Sequence, residues 1–224
     1  MLIPSIDLMG GKIVQLVQGE KKALEFDDFN EWVDRFSKYP IVQLIDLDAA
    51  MGKGNNFKLI EHFAAQLPVQ VGGGVRNVES ARAMFAAGAK KIIIGSSLYS
   101  EAGVNVEIAA QMASEFTAGS LIFAIDSRGG KIAIHGWKKV LAITAEQAIR
   151  ALDGYCGGFL YTHIDTEGMM AGFPMAVAQD LRKLTARKLI VAGGVKTQQE
   201  VDDLHALGID SVVGMAIYTG AMQA

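Results

Sequence analysis

The stretch Leu121-Ile-Phe-Ala-Ile-Asp-Ser-Arg-Gly-Gly-Lys131 decides the fold. It is an apolar run, then a single carboxylate, then a glycine pair. Such a run reads as a buried strand, with Gly129-Gly130 as the loop that leaves it. Asp126 then stands at the C-terminal end of that strand. The chain opens on the same pattern, Leu2-Ile-Pro-Ser-Ile-Asp-Leu-Met-Gly-Gly-Lys12. The two copies align Asp7 with Asp126, Gly10-Gly11 with Gly129-Gly130 and Lys12 with Lys131, all at an offset of 119.

Outward from this doubled carboxylate the correspondence continues. Ile45-Asp46 aligns with Ile164-Asp165 and Gly95 with Gly214, again at 119. Gly73-Gly-Val-Arg76 aligns with Gly193-Gly-Val-Lys196, and Gly88 with Gly208, at 120. Between these landmarks, short apolar and β-branched runs predict strands over residues 2–6, 41–47, 69–71, 91–94, 121–126, 159–162, 188–192 and 211–213. Helical spacing marks 29–37, 57–67, 104–116 and 174–184. Asn77 caps a further helix that Gly88 ends. Thr144-Ala-Glu-Gln147 and Thr197-Gln-Gln-Glu200 read as capping boxes opening two more.

Strands alternating with helices over short connections imply parallel strands with crossover helices. Eight such units in 224 residues imply a closed (β/α)8 TIM barrel, here built from two half-barrels, so residues 1–224 are expected to form a single domain. The composition agrees: 50% hydrophobic and 20% charged residues are ample for a core. The net charge of −3 supplies no general attraction to nucleic acid or anionic membrane, so an anionic ligand must be held by local groups. Cys156 is the one cysteine, which fits a reducing, cytoplasmic setting. No signal-peptide pattern and no apolar run of membrane-spanning length is evident.

In such barrels the site lies at the C-terminal ends of the strands. Asp7 and Asp126 end strands one and five, which are diametrically opposite in a ring of eight, so the two carboxylates face each other across the mouth. One takes a proton while the other gives one, if their surroundings separate their pKa values. Gly73-Gly74 and Gly95-Ser96 end strands three and four; Gly193-Gly194 and Gly214-Met215 end strands seven and eight. Each set brings backbone N–H groups and a helix N-terminus to an anion. The sequence therefore predicts a ligand with two phosphates that spans the mouth. Trp137, after strand five, is placed to stack on a planar ring, and Thr162 and Glu167 flank the mouth at strand six. His135 and His163 are weaker candidates, and the four histidines show no metal-ligand spacing. Asp46 and Asp48, read as strand residues, alternate faces, so only one of them points inward.

These motifs resemble a known family. Ile3-Pro-Ser-Ile-Asp-Leu with Gly11-Lys12, Asp46-Leu-Asp-Ala49, Gln70-Val-Gly-Gly-Gly-Val-Arg76, Ile93-Ile-Gly95, Asp126-Ser-Arg-Gly-Gly-Lys131 with Gly136-Trp137, Tyr161-Thr162 and Ala192-Gly-Gly-Val195 resemble the phosphoribosylformimino-5-aminoimidazole carboxamide ribotide isomerases of histidine biosynthesis. The likeness runs through nearly the whole chain, in order. It implies a two-fold repeated barrel, a bis-phosphorylated substrate, and an Amadori rearrangement of an aminoaldose to an aminoketose with no metal or organic cofactor. It further implies Asp7 as the general base at the ribose C2 and Asp126 as the acid that opens the ribose ring. Some members use the carboxylate of the strand-six loop as the acid; Glu167 stands there, where the family usually has Asp. A monomer without nucleic-acid or membrane partners is expected.

The chain departs from that pattern in three places. Gln15 stands where the family usually has Arg, and His135 where it often has Arg. The chain stops at Ala224, soon after strand eight, where the family usually adds another helix, so the flank beside the first and seventh helices is expected to be less covered. These departures motivate an alternative: a non-catalytic or substrate-shifted barrel that binds phosphorylated sugars. The related cyclase of the same pathway would want a lysine in the first loop and an ammonia channel, a pattern that Gln15 and its neighbours do not supply.

Overall fold

Eight parallel strands close into a ring in the computed structural model, which describes residues 1–223. They are β1 (Leu2–Met9), β2 (Val42–Asp46), β3 (Val69–Gly72), β4 (Lys91–Ile94), β5 (Leu121–Arg128), β6 (Gly158–His163), β7 (Lys188–Ala192) and β8 (Ile209–Val213). Each pairs with the next in sequence, and β8 closes on β1 through Leu2↔Ser211, Ile3↔Val212 and Pro4↔Val213. Strands one and five therefore stand opposite each other, as the repeat predicts.

Side chains alternate across a strand, so one set fills the ring and the other faces the helices. Ile3, Ile93, Ile122, Ala124, Leu160, Ile190, Ala192 and Val212 form the inner core. Ile6, Leu8, Leu44, Phe123, Ile125, Phe159 and Tyr161 belong to the larger outer core. In β1 the inward set is Ile3, Ser5 and Asp7; in β5 it is Ile122, Ala124 and Asp126. The same period of two thus puts the apolar residues in the plug and the carboxylates at the mouth above it.

The surrounding helices are α1 (Phe29–Phe36), α2 (Phe57–Ala64), α3 (Val78–Ala86), α4 (Val106–Glu115), α5 (Ala145–Leu152), α6 (Met175–Leu184) and α7 (Gln198–Ala206). Both expected capping boxes are present at α5 and α7. A third closes between Asn77 and Ser80 at α3, the two-fold counterpart of α7. No helix among the described residues is long and apolar enough to cross a membrane.

Both halves open with the same additional device. After β1, an antiparallel ribbon of Lys12–Val17 and Lys21–Phe26 rises above the mouth; after β5, Lys131–Ile134 and Lys139–Thr144 do likewise. The outer strand of each ribbon escapes a pattern search because it is mostly exposed and meets the core through only two residues, Leu24 and Phe26 in one and Leu141 and Ile143 in the other.

Two expectations are corrected. Asp46 and Asp48 do not alternate along a strand, because β2 ends at Asp46 and the chain turns into a short helix, Leu47–Met51. Asp46 is fully buried and caps that helix, accepting from the Ala49 N–H, the Asn56 N–H and the Asn56 amide. Asp48 accepts the Gly10 N–H at 2.6 Å. The flank beside α1 and α7 is not bare either. The single turn Met215–Tyr218 follows β8, and the Tyr218 ring lies 4.0 Å from that of Trp32 and 5.3 Å from that of Phe26. Trp32 is left 1% exposed and Leu204 of α7 not at all.

Candidate active site

One cavity opens at the C-terminal ends of the strands, and every residue singled out above as a site candidate on strand ends or glycine loops lines it. Asp7, Asp126 and Glu167 are there, with Gly73, Gly74, Gly95, Ser96, Gly193, Gly194, Gly214, Met215, Trp137 and Thr162. The two histidines are not. His135 is exposed and contributes its backbone N–H to the Ser96 hydroxyl oxygen at 3.0 Å. His163 sits outside the cavity beside Tyr161 and Phe173, with Nδ1 3.3 Å from the Tyr161 hydroxyl.

The glycine loops are shaped for backbone approach. Gly73 and Gly193 hold φ of +94° and +110°, a region that favours glycine. A Cβ at either would collide with backbone, the Asp46 carbonyl in one half and the His163 carbonyl in the other. The loops therefore lie flat against the preceding strand end, ahead of α3 and α7, where N–H groups and the helix dipole favour an anion.

Three carboxyls share the mouth, and their surroundings separate them. Asp7 is pushed up to about 6 by burial, an effect partly offset by the Ser5 hydroxyl, which donates to Oδ1 at 3.0 Å. Asp126 is also raised by burial, but two donors oppose the shift: Trp137 Nε1–H at 2.9 Å and the Thr162 hydroxyl. Glu167 has the least help. Burial and the negative charges of Asp7 and Asp126 push it up to about 8, against one backbone N–H, that of Gly168. Near neutral pH Asp7 is mostly ionised and Glu167 mostly protonated, which is the pairing that acid–base catalysis requires.

Three loops meet above these groups. The Trp137 ring rests on Gly19, where a Cβ would come within 2.6 Å of the indole. The Gln18 N–H donates to the Glu167 carbonyl at 3.0 Å, and Gly168 packs on the backbone of Leu16. The ribbon after β1 thereby fixes both the Trp137 loop and the Glu167 loop. The indole N–H of Trp137 is thus committed to Asp126, a role that its place in the loop did not reveal.

Sequence reasoning passed over two further lining residues. Ser5 stands two positions before Asp7 on the same strand face, a spacing that could have identified it. Arg76 follows the glycines of β3, lines the cavity, and donates to the Ala49 carbonyl at 2.8 Å. It is the sole Lys or Arg lining the cavity among the described residues. No group of three or more His, Cys, Asp or Glu suited to a metal ion occurs among the described residues.

Comparison with known proteins bears on what this arrangement does. A family model described as histidine biosynthesis protein matches residues 1–223. A protein of Methanocaldococcus jannaschii is 33% identical over 98% of this chain and 94% of its own length. One of Methanosphaerula palustris is 32% identical, with the same coverage, and one of Methanosarcina barkeri is 34% identical over 98% of this chain and 93% of its own length. All three are named 1-(5-phosphoribosyl)-5-((5-phosphoribosylamino)methylideneamino)imidazole-4-carboxamide isomerase.

Proposed function

The chain belongs to the histidine biosynthesis protein family, and from that premise we propose how its own residues carry out the isomerase reaction. The activity is that of its named relatives, an internal oxidation–reduction on a ligand that carries two phosphoribosyl groups. In the Amadori rearrangement, the sugar C2 is oxidised from carbinol to ketone while C1 is reduced from the aldehyde level to an amine. No electrons leave the molecule.

The two glycine-loop sets support one phosphate each, at opposite sides of the ring. A bis-phosphorylated ligand held there lies across the three carboxyls. Ring opening places a proton on the ribose ring oxygen as the C1–O bond breaks, leaving an iminium at C1. Glu167, protonated near neutral pH, supplies that proton. Asp7, ionised at the same pH, removes the C2 proton, and the electron pair moves through C2–C1 to nitrogen. The enaminol then loses its hydroxyl proton and gains one at C1, giving the aminoketose.

Asp126 is less suited to the acid's part, because an indole N–H and a hydroxyl both stabilise its ionised form. As a carboxylate it stabilises the iminium and raises Glu167. The observation that carries the reading is that Asp7, Asp126 and Glu167 line one cavity, with a hydroxyl donor on Asp7, two donors on Asp126, and the charges of both raising Glu167. A barrel that merely bound phosphosugars would have no use for carboxyls held in opposite protonation states.

Turnover of the bis-phosphorylated aminoaldose by the purified chain, beside Asp7→Asn, tests the proposal. Turnover that the variant loses by about 10²-fold or more is expected of a general base. Full turnover by the variant removes Asp7 from that role, and substrate binding without turnover by the parent chain refutes the catalytic reading.

A further inference from the structure

The turn that closes the ribbon after β1 holds a residue in an unfavourable backbone conformation. Gln18 has a φ of +52°, in the left-handed region that glycine and asparagine enter more readily than glutamine. Gln18 does not line the cavity. Its N–H donors converge instead on the β6 loop that carries Glu167. The backbone N–H reaches the Glu167 carbonyl at 3.0 Å, and the side-chain Nε2 reaches the Asp165 carbonyl at 3.2 Å. Nε2 also lies 3.6 Å from Met169 Sδ, so one side chain spans the loop from Asp165 to Met169.

The other half of the barrel shows what this loop lacks. Gly73 packs on the Asp46 backbone and Gly193 on that of His163, so Asp48 in one half corresponds in space to Asp165 in the other. Each carboxylate takes an amide from the chain leaving the adjacent strand: Asp48 that of Gly10 at 2.6 Å, Asp165 that of Gly129 at 2.9 Å. In the first half Asn56 then ties the loop to itself, donating to both Asp46 and Asp48. Residues 164–173 contain no asparagine. The Thr166 hydroxyl anchors that loop on the β7 side, donating to the Gly193 carbonyl at 2.9 Å. On the β1 side the hold comes from Gln18.

We propose that Gln18 is a positioning residue for the acid: its side-chain amide clamps the β6 loop so that the Glu167 carboxyl stays in the cavity with Asp7 and Asp126. The inference rests on the reading of Glu167 as the acid. Asparagine would suit the turn better, but it is one methylene shorter and falls short of the Asp165 carbonyl. The ribbon after β5 treats the third carboxyl in the same way. Trp137 is also left-handed, at a φ of +65°, and its indole N–H is committed to Asp126.

The surroundings of Glu167 make the clamp measurable. Asp7 faces it from β1 and Asp126 from β5, and the Gly168 N–H of its own loop opposes their effect. Asp165, on the same loop, is engaged by the Gly129 N–H and stands 3.9 Å from His163 Nε2. At the turn, Glu20 faces Arg128 at 3.9 Å. Burial is the largest influence on Glu167, so its proton affinity reports how closely the loop is held. A loop released on the ribbon side admits water to the carboxyl, and water favours the ionised form.

The test compares Gln18→Met and Gln18→Gly with the parent chain. Methionine keeps the length and loses the donor; glycine loses the donor and suits the turn. Both keep the backbone N–H. The readouts are kcat and KM from pH 5 to 9, and the titration midpoint of the Glu167 side-chain carboxyl followed by its 13C shift. Both variants are expected to lower kcat about tenfold with KM nearly unchanged. The basic limb and the Glu167 midpoint should move down together by about half a pH unit or more, with the acid limb in place. A parental kcat and an unmoved Glu167 midpoint in either folded variant overturn the proposal. A raised KM with kcat intact overturns it too, because Gln18 would then act on the substrate and not through Glu167. If the parent chain does not isomerise the substrate, the isomerase reading fails by itself, and the Glu167 midpoint still decides whether Gln18 holds that carboxyl in place.

Discussion

Ser5→Ala is a small change with a calculable consequence. The Ser5 hydroxyl is 5% exposed and donates to Asp7 Oδ1 at 3.0 Å, opposing the burial that raises Asp7 to about 6. A hydrogen bond to a charged group contributes about 1.5–3 kcal/mol, and one pKa unit corresponds to about 1.4 kcal/mol. Removing this donor therefore moves Asp7 up by about 1–2 units, to roughly 7–8. At pH 7 the ionised fraction of Asp7 then falls from about nine-tenths to between about a tenth and a half. The acid limb of kcat/KM, followed from pH 5 to 9, should shift upward by the same amount. Since Glu167 stands at about 8, the window in which the base is ionised and the acid protonated nearly closes, and the maximum falls as well. Ser5→Thr, which keeps the hydroxyl, should restore the parent profile. An acid limb that stays near 6 in a folded Ser5→Ala would refute the reasoning, because that limb could not then belong to an Asp7 held by Ser5.

The carboxyls should cost stability. Asp7 is raised in the fold from 3.8 to about 6, so its destabilising effect is absent below pH 4, grows through that window and is complete above it. Asp7→Asn should stabilise the chain at pH 7 by on the order of 1–3 kcal/mol, each kcal/mol being worth roughly 2–4 °C in Tm. The gain should vanish below pH 4 in calorimetry, and an equal gain at every pH would contradict the linkage. Gly193→Ala sets a Cβ against the His163 carbonyl at a φ of +110° and should lower Tm markedly. Gly95→Ala meets only the Ala124 methyl at 3.6 Å and should leave Tm nearly unchanged. Gly19→Ala displaces the Trp137 ring, so in a Trp32→Phe background the remaining emission should shift to the red, whereas unchanged emission would mean that the ring does not rest there.

Much of this architecture is legible in the chain because it is written twice. The 119-residue repeat that aligns Asp7 with Asp126 also places β1 against β5. The glycine sets fall where the parallel strands end, and strand periodicity alone sends Asp7 and Asp126 inward. What escapes is what long-range packing decides. Asp46 continues an apolar run, and its capture by Ala49 and Asn56 to cap a helix depends on a loop ten residues on. Lys21–Phe26 is exposed over its first half and meets the core only through Leu24 and Phe26, an alternation too short to mark its pairing with the preceding strand. Tyr218 covers the flank near α1 through ring contacts with Trp32 and Phe26 that join opposite ends of the sequence. The choice between Asp126 and Glu167 turns on who donates to each, and the Trp137 indole reaches Asp126 only because Gly19 leaves room for it.

In the proposed mechanism an ionised Asp7 and a protonated Glu167 divide the labour. The most direct measurement is the pH dependence of kcat/KM for the bis-phosphorylated aminoaldose in the parent chain, Glu167→Gln and Asp126→Asn. The parent should give a bell with limbs near 6 and 8. Glu167→Gln should lose the basic limb and fall by about 10²–10⁴-fold, while Asp126→Asn keeps both limbs at reduced height, with the basic limb moved down because the Asp126 charge no longer raises Glu167. A basic limb that survives in Glu167→Gln and disappears in Asp126→Asn would contradict the account and give the acid's part to Asp126.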